Sequence, residues 1–213
     1  MPGMAASPRI FEYLSLPDQF ELIKLSWFQP YQNEPLSEYA KRMCAQIKHK
    51  EPVLLGVSFG GMLVQEMAKH IKCRKVIIVS SVKNYNELPL HMKLAKKTRA
   101  HKLFPLQWIT WIENLAVVVF GPTIRSKVEA YQLYLSERDP DYLSWSMDSI
   151  VHWDQEKAEH DIIHIHGEKD TVFPIRYIDQ KTNFYLVKNA THAMILTHAR
   201  WFNLHLSEII LKV

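Results

Sequence analysis

Gly56-Val57-Ser58-Phe59-Gly60 is the stretch that decides the fold. It follows the apolar run Pro52-Val53-Leu54-Leu55, which is rich in strand formers. It precedes Gly61-Met62-Leu63-Val64-Gln65-Glu66-Met67-Ala68-Lys69, which reads as a helix. A serine at a strand-to-helix junction, with a glycine two residues to either side, is the nucleophile-elbow pattern. The turn is so tight that side chains at Gly56 and Gly60 would collide with neighbouring backbone, so only a very small residue fits there. It holds the Ser58 hydroxyl at the end of a strand, above a helix N-terminus whose N–H groups and dipole favour a developing negative charge. The competing reading is a glycine-rich turn whose serine merely caps the helix. The rest of the chain decides between them.

Working outward, Glu21 to Phe28 reads as a strand, and residues 36 to 49 as an amphipathic helix from the spacing of Leu36, Tyr39, Ala40, Met43 and Ile47. Further strands are expected at Lys75 to Ser80, Asp161 to His166 and Asn183 to Val187, and a closing helix from about Met194 to Leu211. Alternating strands and helices, with strands apolar on both faces, argue an α/β fold: a mostly parallel sheet covered by helices. Residues 83–155 break the alternation. They are helix-like, aromatic and punctuated by Pro89, Pro105, Pro122 and Pro140, so they read as a helical insertion between sheet strands. The core is then 1–82 with 156–213. Trp108, Trp111, Trp145 and Trp153 lie in the insertion. Either they pack it against the sheet, or some of them, with Trp108, Trp111 and Trp145 foremost, line an acyl pocket beneath a lid.

A serine nucleophile needs a base, and the base needs an orienting acid. His166-Gly167-Glu168-Lys169-Asp170 follows the fourth expected strand directly. A carboxylate there lies on the sheet edge that carries the elbow, where ligands gather in open α/β sheets. Asp170 is the best acid candidate and Glu168 the runner-up; Asp161 lies at the wrong end of the strand. Among eleven histidines, His192 stands out, because it sits just past the fifth strand and just before the final helix. His164 and His166 form a His-x-His pair, but no third metal ligand is evident nearby, and a zinc site needs at least three. His166 reads instead as support for the acid loop. The order Ser58, Asp170, His192 is the order of one hydrolase class and not of the others.

The whole chain bounds these readings. Its 213 residues suit one domain, and 47% hydrophobic with 23% charged residues is an ordinary globular composition. A net charge of +4, with scattered lysines, does not mark a nucleic-acid footprint. Cys44 and Cys73 make no disulfide framework, which fits a cytoplasmic location. No signal peptide or membrane span is visible, the longest apolar stretch running only from Leu115 to Phe120.

On Gly56-Val57-Ser58-Phe59-Gly60-Gly61, His166-Gly167-Glu168-Lys169-Asp170 and Thr191-His192-Ala193, the chain resembles the alpha/beta-hydrolase fold superfamily over nearly its whole length. The resemblance puts the insertion in the cap-domain position. It also likens Pro2-Gly3-Met4-Ala5-Ala6-Ser7 to the family's oxyanion loop, with Pro2 where that loop usually carries histidine. By that correspondence the backbone N–H groups of Met4 and Phe59 are the oxyanion donors. In the family this loop follows a central strand, so a short apolar strand upstream of Met1 is expected in the natural product; without it and the two earlier strands, this is a minimal version of the fold.

The function expected is that of a serine hydrolase acting on a carboxylic ester or related acyl bond of a small molecule, with no cofactor and no metal. A lyase or acyltransferase on the same scaffold, and a non-catalytic ligand-binding module, are the rival readings.

Overall fold

Four short strands frame the molecule. The computed structural model describes residues 1–98, 133–158 and 161–212. Within them β1 (Val53–Val57), β2 (Lys75–Val79), β3 (Ile162–Gly167) and β4 (Phe184–Val187) pair in that spatial order, every pair parallel. Gly56 lies opposite Ile78, Val79 opposite Ile165, and Gly167 opposite Val187. All four strands therefore end on the same edge, and the loops after β1, β3 and β4 share one rim. Every residue of β3 is buried, as are Val76 to Val79 of β2. That lack of in-out alternation belongs to a parallel sheet covered on both faces.

Helix α1 (Leu36–Cys44) buries Tyr39, Ala40, Met43 and Cys44, and packs on α2 (Phe59–Ala68). Helix α2 is buried along its whole length, Gln65 and Glu66 included. Its two polar side chains persist there because they are bonded. Gln65 Nε2 donates to the carbonyls of Gly61 and Val82, and Glu66 Oε1 accepts from the Trp153 indole. Of 83–155, the described parts include α3 (Leu90–Thr98) and α4 (Pro140–His152), which contact each other. Asp139 caps α4 by accepting from the Tyr142 N–H, and Pro140 opens it. Trp108 and Trp111 lie outside the described residues.

Three expectations need correction. Residues 21–28 form no strand. Beside β1 it is Met1 that pairs in the strand manner, its nitrogen donating to the Leu55 carbonyl and its carbonyl accepting from Val57 N–H. Among the described residues the segment pairs with no strand, and an apolar pattern alone cannot make one. Phe28 instead meets a side chain: its N–H donates to Tyr39 Oη at 3.0 Å, and the Tyr39 hydroxyl donates to its carbonyl at 2.8 Å. The helix expected over 36–49 stops at Cys44. The closing helix is two: α5 (Met194–Thr197) and α6 (Ala199–Leu211), parted where His198 leaves helical geometry at φ −123° and ψ 29°.

Candidate active site

Ser58 stands between β1 and α2 at φ 54° and ψ −122°. A Cβ on Gly56 would overlap the Gly60 carbonyl, and one on Gly60 would overlap the Pro2 carbonyl, so the turn and the opening loop close over each other only because both residues are glycine. Three bonds hold the turn. Ser58 N–H donates to Val79 O at 2.9 Å, Gly61 N–H to Ser58 O at 2.8 Å, and Ser81 Oγ to the same Ser58 carbonyl at 2.7 Å.

The rim shared by the strand ends brings three side chains into line. His192 Nε2 lies 3.0 Å from Ser58 Oγ, and His192 Nδ1 lies 2.8 Å from Asp170 Oδ2. An ionised carboxylate only accepts, so Nδ1 carries the proton and Nε2 presents its lone pair to the serine hydroxyl. Asp170 Oδ1 is occupied separately, accepting from the N–H groups of Val172 and Phe173 at 2.9 Å each. Asp170 and His192 are both buried. Burial pushes the Asp170 carboxyl up, but His192, His166 and the Phe173 N–H together outweigh it and hold the group below its ordinary value. Glu168 turns elsewhere: it is exposed and accepts from Asn189 N–H at 2.9 Å.

The opening loop lies against the serine. A Cβ on Gly3 would come 3.2 Å from Ser58 Cβ, and Met4 lines the same cavity as Ser58. The Phe59 N–H is the first of α2 and has no acceptor within its own helix. Among the described residues no backbone carbonyl takes the Met4 N–H either. Trp27, from the segment first read as a strand, fixes this loop. Its indole N–H donates to Gly3 O at 2.9 Å, and its ring stacks on Phe59 at 5.1 Å and 7°.

A cavity of about 80 Å³ opens at Ser58 and His192, lined by apolar side chains including Ile10, Met92, Leu135, Met147 and Leu196. Trp145 is not among its lining. Its indole N–H donates to Glu34 O at 2.7 Å, and its ring lies 4.5 Å from Tyr39, so it contributes to a separate surface cavity of about 800 Å³. An indole N–H that leaves water needs an acceptor, and the one within reach is on the loop before α1. Among the described residues no three His, Cys, Asp or Glu side chains gather as a metal site.

Ser81 and Trp27 had no assigned part in the sequence reading. Neither carries a local mark: one is a serine after a buried strand, the other an aromatic in an apolar run. Their partners are 23 and 24 residues away in the chain.

A family model described as the alpha/beta hydrolase fold matches residues 1–199. Among solved structures, a hydrolase from Oleispira antarctica superposes with a TM-score of 0.76 at 14% identity, over 100% of this chain and 89% of that one. A hydrolase from Pseudomonas aeruginosa gives 0.72 at 15% identity, over 98% and 87% of the two chains. A thermophilic esterase from Thermogutta terrifontis gives 0.67 at 12%, over 98% and 88%. At such identities the likeness is one of fold. No curated protein matches the chain.

Proposed function

This chain belongs to the alpha/beta hydrolase fold family, and from that premise we infer that it is a serine hydrolase cleaving a carboxylic ester or related acyl bond. The observation that carries the reading is the continuous contact from Ser58 through His192 to Asp170, at 3.0 and 2.8 Å. His192 Nε2 takes the Ser58 proton as the oxygen attacks the acyl carbonyl. Asp170 keeps the imidazole in the reactive tautomer and stabilises the imidazolium. The N–H groups of Met4 and Phe59 receive the oxyanion, a contribution of about 10²–10³ in rate for each donor. His192 then returns the proton to the leaving alcohol, and water releases the acid from Ser58 by the same steps in reverse order.

The cavity beside Ser58 is small and apolar, and among the described residues its lining includes no charged side chain. This favours a short uncharged acyl group over a long or ionic one. The part of 83–155 that supplies Met92, Leu135 and Met147 acts on this reading as the cap over the acyl group.

The test is labelling with a fluorophosphonate probe, alongside turnover of p-nitrophenyl esters of increasing chain length. Ser58→Ala is expected to abolish both, with the melting temperature close to that of the parent. Turnover is expected to fall as the acyl chain lengthens. Strong labelling of Ser58→Ala would remove Ser58 as nucleophile.

A further inference from the structure

His164 and His166 both face one side of β3 and are wholly buried, although the reaction proposed for Ser58 gives neither a role. Their hydrogen bonds run in one direction. His166 Nε2 lies 2.8 Å from the Phe173 carbonyl, which can only accept, so Nε2 carries the proton. His166 Nδ1 is then a lone pair, and it lies 3.1 Å from His164 Nε2, which must therefore be protonated. His164 Nδ1, at the far end, has no partner in good hydrogen-bond geometry among the described residues, although the Ser81 backbone acts on the ring. Burial holds both imidazoles below their ordinary value, and the neighbouring imidazole adds to this at His164.

The near end of this chain is the acid turn. Phe173 accepts from His166 through its carbonyl, and through its own N–H it donates to Asp170 Oδ1 at 2.9 Å. Oδ2 is left for His192 at 2.8 Å. His166 Nε2 also lies 3.7 Å from that same Oδ2, too far for a hydrogen bond but near enough to compete if the ring swung. The Phe173 carbonyl and the His164 ring together keep it from doing so.

We propose that His166, with its tautomer set by the Phe173 carbonyl and its other nitrogen occupied by His164, is a positioning residue that holds the Asp170 turn through that carbonyl and so keeps Asp170 aligned on His192. The inference rests on the reading of Ser58, His192 and Asp170 as the reacting relay. Asp170, from the loop after β3, and His192, from the loop after β4, are the titratable groups at the near end; Lys83, after β2, acts on His164 at the far end.

Three variants of the whole protein test it: His166→Leu, His166→Gln and His164→Leu. Leucine at 166 removes the donor to Phe173, whereas the glutamine amide can restore it. On a p-nitrophenyl ester, His166→Leu should lower kcat about tenfold or more, with KM little changed, because a misaligned relay is costly even for small displacements. His166→Gln should recover most of kcat, and His164→Leu should fall between the two. The downfield proton resonance of His192 Nδ1 reads the alignment without turnover: it should weaken or move upfield in His166→Leu and return in His166→Gln. A His166→Leu protein that melts earlier yet keeps the parent kcat and His192 resonance would reduce His166 to a packing residue and overturn the proposal. So would a glutamine variant no better than leucine. If the parent turns over no ester, the hydrolase reading fails, while the His192 resonance still decides whether His166 aligns Asp170.

Discussion

At φ 54° and ψ −122°, Ser58 occupies backbone space that residues with a side chain rarely enter. Such a conformation persists only where the surroundings over-determine it, and here Val79 O, Gly61 N–H and Ser81 Oγ do so. The loop facing it depends in turn on one indole. Trp27 stacks on Phe59 and donates to Gly3 O, so it spans both sides of the proposed oxyanion site. Trp27→Phe keeps a stacking ring and deletes only the donor. We expect kcat to fall about tenfold, with KM little changed, as the Met4 N–H loses its aim. The stability cost should be about 1 kcal/mol. Steady-state kinetics and a thermal melt read the two effects separately, and an unchanged kcat would show that Gly3 holds its place without the indole.

The element that carries the proposed nucleophile is the β1–turn–α2 unit. Its geometry comes from short-range sterics: the strand must reverse into a helix within one residue, and a Cβ on Gly56 would overlap the Gly60 carbonyl. Gly56→Ala should therefore distort the turn itself. The expected loss is about 3 kcal/mol or more, at the upper end for overpacked sites. Probe labelling of Ser58 should be lost in whatever fraction still folds. A denaturant melt together with fluorophosphonate labelling checks this, and a parent-like variant on both counts would show that the turn has more room than its atoms indicate. Helix α2 adds a second constraint, since its burial on all sides leaves no face free to absorb a shift.

Across the whole molecule, two neutral histidines in the centre of the sheet make stability depend on pH. His164 and His166 titrate below the ordinary 6.5 when folded, chiefly because burial disfavours the imidazolium. Below pH 6.5 the unfolded chain binds protons that the folded chain does not, so unfolding becomes easier as pH falls. Their contribution is fully present above the unfolded value and is lost progressively beneath it. Each should add up to about 1.4 kcal/mol per pH unit to the slope in that range. Melting temperature measured from pH 7.5 down to 5 should fall, and His164→Leu should flatten the decline. A slope identical in parent and variant would mean that His164 takes up its proton without unfolding.

Much of this architecture was legible in the residues alone. Strand, tight turn and helix around Ser58 are written in local apolar runs and glycine spacing, and β2 and β4 announce themselves as apolar segments, as does β3 through its isoleucines. Ser58, Asp170 and His192 could be singled out as candidates because each follows a strand, and parallel strands put such positions on one edge. What needed the tertiary structure was partnership. Residues 21–28 have a strand-like pattern but, among the described residues, pair with no strand, and Trp27 and Phe28 serve Gly3 and Tyr39 instead. Trp145 follows an acceptor at Glu34 and not the cavity at Ser58. The direction of the His164–His166 pair hangs on one carbonyl at Phe173. Short-range sterics and periodicity act between neighbours in the chain and can be read there. Hydrogen-bond partners for buried donors are chosen among groups that only folding brings within 3 Å or so of each other.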